Sequence, residues 1–314
     1  MAFVDTVAVE RFEANRDRLA SIAYRLLGSA ADAEDAVQDA YLRWQTSDPG
    51  HIDVPEAWLT KVVTNLALDR LRSAQARRER AAGDWLPEPL LDGDPMLGPA
   101  QTVEQRESVT LAMLLLMERL GPVERAVYVL REAFSYSHAE VADILDITET
   151  SSQQHVHRAR RRVAAERVAG EADRRAARRI VEAFVDAASS GRTERLVELL
   201  TDDATVVSEG AGVGGKLMRR TGVGPVAANL RAGFKPTPAK RRLVGGSPSI
   251  HAAVVNGAPA MVAALGDRVV GVVVLGLREE KVVNLVGVSS RDRLERFNRL
   301  WHRAEHDDPL IEQW

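Results

Sequence analysis

The sequence predicts two all-α domains, the second a helix-turn-helix, followed by an α+β domain with a curved antiparallel sheet. Three observations predict this. Apolar residues recur every three or four positions through most of the first 170 residues, the spacing of a helix face. Ser137 and Glu140 stand at capping-box spacing, opening a short helix that leads through a tight turn into a polar, basic one. Only seven glycines lie in the first 170 residues, whereas fifteen follow from residue 191 onward among β-prone runs, so a helix-forming part precedes a turn-rich one.

The first helix spans 11–27, with Phe12, Leu19, Ile22, Ala23, Leu26 and Leu27 on one face and Gly28 as its stop. Asp32 is read as the cap of a second helix that buries Ala36, Val37, Ala40, Tyr41 and Trp44. Pro55 suits the first turn of a third helix, which turns Trp58, Leu59, Val62, Val63 and Leu66 inward and ends in Asp69-Arg70-Leu71-Arg72. Four prolines within 83–100 exclude a continuous helix there and mark a linker. Helices are then expected over 109–120, 123–132, 138–145 and 149–168. The last part carries helices at 178–188 and 195–200, then strands at 204–208, 241–244, 260–264, 269–277 and 281–288. The resulting division is 1–80, a linker over 81–103, 104–170, 175–300 and a tail over 301–314.

Composition narrows the function. A chain of 314 residues with 45% hydrophobic and 28% charged residues is long enough for several domains and too apolar for wholesale disorder. There is no uncharged apolar run of membrane-spanning length, and the charges among the first twenty residues exclude a signal-peptide core. The expectation is a cytoplasmic protein that engages no membrane. The absence of cysteine excludes disulfides, thiolate metal sites and a cysteine nucleophile.

The net charge of −3 conceals blocks of opposite sign. Residues 28–56 hold seven acids against Arg43, whereas 70–80 and 158–167 each hold five arginines against one acid. Asp32, Asp35 and Asp39 recur at three and four, with Glu34 and Gln38 at the flank. Such a face is either a solvated surface or a docking site for a basic protein. Asn65, Arg70, Arg72, Arg77 and Arg78 follow the third helix and suit contacts to phosphates and base edges. In the helix after the turn, Ser151, Gln154, His155, Arg158 and Arg161 stand away from the apolar stripe, as insertion into a major groove requires. His155 and His157 are two apart, so they share no face and make no metal pair.

These residues carry a family resemblance. The run from Asp32 to Tyr41 resembles the helix by which sigma factors dock on the clamp of bacterial RNA polymerase. Pro55-Glu-Ala-Trp58 through Asn65 to Arg72 resembles the stretch that opens and reads the −10 promoter element. Leu120-Gly-Pro through His157-Arg158-Ala159-Arg160 is similar to the domain that reads the −35 element. The sequence thus resembles the extracytoplasmic-function sigma factors, with sigma region 2 at 1–80 and region 4 at 104–170. Trp85-Leu86-Pro87-Glu88-Pro89-Leu90 resembles a linker hallmark of the subgroup with a fused SnoaL-like domain. A loosened form of its glycine-lysine motif stands at Gly210, Gly212, Gly215 and Lys216. Glu209 opens that motif in place of Asp, Ser290-Arg-Asp-Arg-Leu294 replaces a later Asn-Pro-Asp-Lys-Leu, and Ser152 stands where an apolar residue is usual.

The resemblance implies a cone-shaped SnoaL-like third domain that regulates the sigma portion in cis through intramolecular contact. It also implies core RNA polymerase and promoter DNA as partners, and no cofactor, metal or catalytic residue. The alternative it leaves open is a SnoaL-like pocket that binds or turns over a small molecule. Asp202, Asp203, Glu209, Asp267 and His251 are the titratable groups there, and none forms a motif of fixed spacing. Asp202-Asp203 is read as the start of a turn and His251 as a strand residue.

Overall fold

A computed structural model describes residues 6–47, 52–81, 85–99, 101–163, 174–210 and 217–314, with the side chains of 75–81 excepted. The chain divides into two compact units. One comprises residues 1–83, 95–109 and 113–167, the other residues 84–94, 110–112 and 168–314. The division differs from the expected series of three domains joined by a free linker. Regions 1–80 and 104–170 share one unit, and residues 84–94 of the Pro-rich stretch belong to the other.

In the first unit α1 (Thr6–Leu27), α2 (Ala30–Thr46) and α3 (Pro55–Ala81) pack against one another. Their apolar faces meet as expected, with Phe12, Leu19, Ile22, Leu26, Val37, Trp44, Leu59 and Val63 buried. Trp44 packs at 5.6 Å from Trp58 and donates its indole N–H to the Ala8 carbonyl at 2.8 Å. The cap of α2 is Ser29 rather than Asp32. The Ser29 hydroxyl accepts from the Asp32 amide at 3.1 Å, leaving the Asp32 carboxylate outward at the positive end of the helix.

Two short helices, α4 (Val103–Glu107) and α5 (Leu111–Met117), replace the single helix expected over 109–120. α4 carries a complete capping box from Thr102 and Gln105. α6 (Pro122–Tyr128) runs into a wider helical turn over Val129–Ala133. α7 (His138–Leu145) has the expected box from Ser137 and Glu140, and ends on Asp146 in the left-handed conformation, φ 53°. α8 (Glu149–Val163) follows, and the remainder of the expected 149–168 helix lies outside the described residues.

Arg25 joins these parts. Its side chain is fully buried, and its guanidinium donates to Ser108 Oγ at 2.9 Å, the Leu97 carbonyl at 2.7 Å, the Gln105 carbonyl at 3.3 Å and Ser21 Oγ. Its own carbonyl accepts two N–H groups of the buried Arg125 on α6, each at 3.2 Å. Burial pulls the Arg25 pKa down to about 10, so it stays charged at neutral pH. Gly98, at φ +67°, lies so close to Ser21 that a Cβ would come within 3 Å of its side chain.

In the second unit α9 (Arg174–Ser189) and α10 (Thr193–Leu199) precede β1 (Leu200–Ser208), β2 (Met218–Thr221), α11 (Val223–Phe234) and α12 (Pro238–Val244). β3 (Ser249–Val255), β4 (Ala258–Leu265), β5 (Arg268–Arg278) and β6 (Lys281–Val288) follow, then α13 (Glu295–Trp301). The six strands lie in the order β2-β1-β6-β5-β4-β3. The sheet is mixed rather than wholly antiparallel, because β1 runs parallel to β6. Segment 241–244 is helical instead of extended. Thr237 caps it, Pro238 begins it and Gly245 at φ +90° ends it. Asp202 and Asp203 lie within β1 rather than in a turn.

Phe184, Val181, Leu196, Val226, Met261, Leu275 and Leu285 form the core of this unit, with Leu310, Ile311 and Trp314 packed against them. The free edge of β3 is covered twice. Leu91 bridges to Val255 at one end, and Ile311 to Ile250 at the other. Leu86, Pro87, Pro89 and Leu90 are buried, so the 85–90 motif is a packed element of this unit. Residues 310–314 are likewise packed and do not form a separate tail. Asp94 accepts from Arg296 at 2.6 and 2.8 Å with its carboxylate fully buried, a bidentate pair whose disruption would cost about 3–5 kcal/mol.

Asn256 fixes the linker in place. It sits at φ 51° in the β3–β4 turn, accepts the Leu90 amide on Oδ1 at 2.8 Å, and donates its own amide to the Leu90 carbonyl at 2.9 Å. Asn256→Gly keeps the turn but removes the side-chain acceptor. The expected outcome is faster amide exchange at Leu90 and a stability loss of about 1 kcal/mol in urea titration. Exchange at Leu90 as slow as in the parent chain would contradict this role.

Candidate nucleic-acid interface

The candidate residues lie on α2, α3 and α8 of the first unit. The apolar face of α2 holds that helix against its neighbours and turns Asp32, Glu34, Asp35 and Gln38 into solvent, with Asp39 half-buried. The acidic face expected from spacing therefore exists as a surface. It is not without partners, because Arg70 on α3 donates to Asp39 Oδ2 at 2.6 Å and reaches Asp35 Oδ2 at 3.5 Å. Arg70 is 30% exposed, so solvent screens the pair and its contribution is below about 1 kcal/mol. Arg72 pairs with Asp69 at 3.2 Å on the exposed side, and Asn65 is half-buried on the same helix. The side chains of Arg77 and Arg78 lie outside the described residues.

α7, the left-handed Asp146 and α8 form the helix-turn-helix. Lys61 of α3 braces the turn, its ammonium donating to the Asp143 carbonyl and to Asp146 Oδ1, each at 2.7 Å. Across the same junction Thr60 and Tyr136 hydroxyls bond at 3.1 Å, and the Arg18 guanidinium lies over the rings of Phe134 and Tyr136. Thr148 caps α8, accepting the Ser151 amide at 3.1 Å and donating its hydroxyl to Ser151 Oγ at 2.9 Å. Ser152, anomalous as a core residue, is fully buried and bonds the His138 ring at 2.9 Å, so it joins α7 to α8 by a polar contact.

Val156, Ala159 and Val163 bury the inner face of α8 and leave Gln154, Arg158 and Arg161 exposed, with Ser151 and His155 half-buried beside them. The arginines do not all point freely outward. Arg162 donates to Glu124 Oε2 at 2.5 Å, Arg158 lies 3.8 Å from Glu124 Oε1, and Arg160 donates to Glu132 Oε1 at 2.9 Å. Glu124 and Glu132 are buried, and Glu124 Oε1 receives no hydrogen bond. Sequence spacing gave no hint of these pairs, because each acid lies 28 to 38 residues before its arginine. The structure thus brings the basic edge of α8 together with Glu124 and Glu132, and Arg70 together with the acidic face of α2.

The remaining predicted positions lie in the second unit. Gly210 is exposed at φ +61°, whereas Gly212, Gly215 and Lys216 lie outside the described residues. Glu209, which opens that motif, accepts the Ser289 and Ser290 amides at 2.7 Å each and pairs with Arg293. His251 bonds Ser249 Oγ at 2.9 Å and meets the Trp301 ring edge-on, and Asp203 pairs with Arg278 at 3.2 Å. Among the described residues, no three His, Cys, Asp or Glu side chains are grouped to hold a metal ion. No helix among them is long and apolar enough to cross a membrane.

The His155 Nδ1 accepts a hydrogen bond from the Arg158 guanidinium at 3.0 Å. Burial, and then the Arg158 charge, lower its pKa below the usual 6.5. The depressed value means that the neutral ring is favoured in the folded chain. This contribution is present above pH 6.5 and is lost as pH falls through the lowered pKa. An NMR titration should place the His155 midpoint below 6.5, moving toward 6.5 in Arg158→Gln. A midpoint at or above 6.5 would contradict the geometry.

Comparison with known proteins bears on this arrangement. The model for sigma-70 region 2 matches residues 11–77, and that for sigma-70 region 4 matches residues 110–163. The chain is 41% identical over 206 residues to the ECF RNA polymerase sigma factor SigJ of Mycobacterium tuberculosis, and the match spans 65% of each chain. It is 33% identical over 279 residues to the probable ECF RNA polymerase sigma factor SigI of the same organism, spanning 87% of this chain and 90% of SigI. The crystal structure of M. tuberculosis SigJ matches with a TM-score of 0.68 at 30% identity, covering 92% of this chain and 98% of that one. With region 2 and region 4 in order, and SigI matched over 90% of its length at 33% identity, the chain belongs to the extracytoplasmic-function RNA polymerase sigma factors.

Proposed function

We propose that the chain directs promoter-specific transcription initiation by carrying core RNA polymerase to promoter DNA. The observation that carries this reading is an exposed acidic face on α2 within the same compact unit as a helix-turn-helix. A protein that only bound DNA would have no use for a clustered negative face beside its basic helices, because like charge repels phosphate. A basic protein surface is the complement of Asp32, Glu34, Asp35, Gln38 and Asp39.

In this reading Asn65, Arg70 and Arg72 engage the −10 element, and Ser151, Gln154, His155, Arg158 and Arg161 engage the −35 element. Arg70 serves both halves. A basic polymerase surface that takes over Asp35 and Asp39 releases the Arg70 guanidinium toward DNA. Phosphates compete in the same way with Glu124 for Arg158, and that glutamate is shared with Arg162. The linker motif from Trp85 to Leu90 and the glycine loop adjust activity through the SnoaL-like unit, and no bond is made or broken by the chain. Support for the first part of this is the docking of residues 85–94 on that unit.

Capture of the full chain by purified core polymerase tests the docking face. Asp35→Arg with Asp39→Arg should weaken capture at least tenfold, equivalent to about 1.4 kcal/mol. Arg70→Gln should leave capture intact while reducing protection of the −10 element. Undiminished capture of the double variant would refute the assignment of this face.

A further inference from the structure

Between Glu209 and Asp267 the chain contains no acidic residue, yet residues 210–266 contain eight bases, namely Lys216, Arg219, Arg220, Arg231, Lys235, Lys240, Arg241 and Arg242. Lys216 lies outside the described residues. The other seven lie on three consecutive elements of the second unit. Arg219 and Arg220 are exposed on β2, an edge strand of the sheet. Arg231 is exposed in the last turn of α11, Lys235 is exposed just after it, and Arg241 and Arg242 are exposed on α12.

The three elements adjoin. The Asn229 amide of α11 reaches Met218 Sδ of β2 at 3.0 Å. The Lys240 ammonium of α12 caps the end of α11, donating to the carbonyls of Gly233 at 2.8 Å, Lys235 at 2.9 Å and Ala232. The bases therefore lie on adjoining elements rather than in three scattered groups, with Arg219 and Arg220 on opposite faces of the β2 edge.

None of the seven pairs with a side-chain carboxylate among the described residues. Their polar contacts are to main-chain oxygens. Arg220 donates to the Arg219 carbonyl at 2.8 Å, Arg241 to the main-chain oxygen of Trp314 at 3.2 Å, and Arg242 to the Pro238 carbonyl at 3.3 Å. Elsewhere in this unit Arg178, Arg278, Arg293 and Arg296 each have a carboxylate partner. Asp203, on the strand beside β2, is itself taken by Arg278. Charges on β2 alone would be explained as protection of a sheet edge. That explanation does not reach the bases on α11 and α12.

We propose that this surface of β2, α11 and α12 is a third DNA-binding element, which grips the phosphate backbone of duplex DNA. The residue types favour phosphate, since five of the seven are arginines with forked donors. The aromatic rings of the patch, Phe234 and Trp314, are packed against the core, which leaves them unfit to stack on unpaired bases and favours a duplex. A weak, sequence-independent grip is effective here because it is tethered to elements that already hold DNA. The inference goes beyond the promoter-reading role and rests on it only for the tether, and it is measured without polymerase.

The experiment is fluorescence anisotropy of the full chain with a duplex of arbitrary sequence over a series of salt concentrations. Two glutamate variants are compared with the parent, Arg219→Glu with Arg220→Glu and Arg241→Glu with Arg242→Glu. Each should lower the slope of log K against log salt by about 1.8, twice the 0.9 per phosphate. Arg219→Lys with Arg220→Lys should keep the parent slope. A glutamate variant with a depressed melting temperature is replaced by its glutamine counterpart, for which the same slope change is expected. Parent slopes in all variants, or no binding by the parent chain, would overturn the proposal. So would loss of binding to phosphatidylserine vesicles with DNA binding unchanged, which would assign the surface to an anionic membrane.

Discussion

The first unit depends on burying one cation without a carboxylate. Arg25 stands in the apolar run of α1, where a leucine would be expected, and a lone guanidinium in such a place would be strongly unfavourable. It is tolerated because neutral acceptors arrive from three sides: Ser21 one turn back on its own helix, the Leu97 and Gln105 carbonyls, and Ser108. Arg125 then closes the network from α6 onto the Arg25 carbonyl. Region 2, the connecting segment and region 4 are thereby held by one set of hydrogen bonds. Truncating Arg25 would leave several buried acceptors unsatisfied at once, each at about 1–3 kcal/mol.

Around that centre the charges are arranged in opposed sets. The acids of α2 face Arg70, and Glu124 of α6 with Glu132 of the following turn face the arginines of α8. Arg70, Arg160 and Arg162 are 30%, 58% and 54% exposed, so solvent screens their ends of the pairs, whereas Glu124 and Glu132 are buried and depend on their arginines. Their consequence is functional. The groups proposed to meet polymerase and DNA occupy one another in the free chain, and a partner displaces them only by supplying replacement contacts. The bases of β2, α11 and α12 in the second unit differ, because among the described residues they have no side-chain carboxylate partner.

Much of this was legible in the sequence. Apolar spacing placed α1, α2 and α3, and the Ser137–Glu140 box located the helix-turn-helix, because these signals act within a few residues. The strand over 241–244 was misread because Arg-Arg-Leu-Val is equally apt for either state, whereas Thr237-Pro238 and Gly245 at its borders settle it as a helix. The parallel β1–β6 pair leaves no local trace. Nor does the docking of the 85–90 motif, which depends on Asn256 166 residues away. The acidic face was visible as a period, but its occupation by Arg70 was not, since that requires α2 and α3 to be packed first.

The central claim is that one chain couples polymerase to a promoter, and transcription from purified components tests it most directly. Core enzyme supplied with the full chain should produce a run-off transcript of defined start from a duplex template. That transcript should vanish when either the −10 or the −35 sequence is scrambled. A chain that binds the template yet leaves the products of core enzyme unchanged would contradict the account.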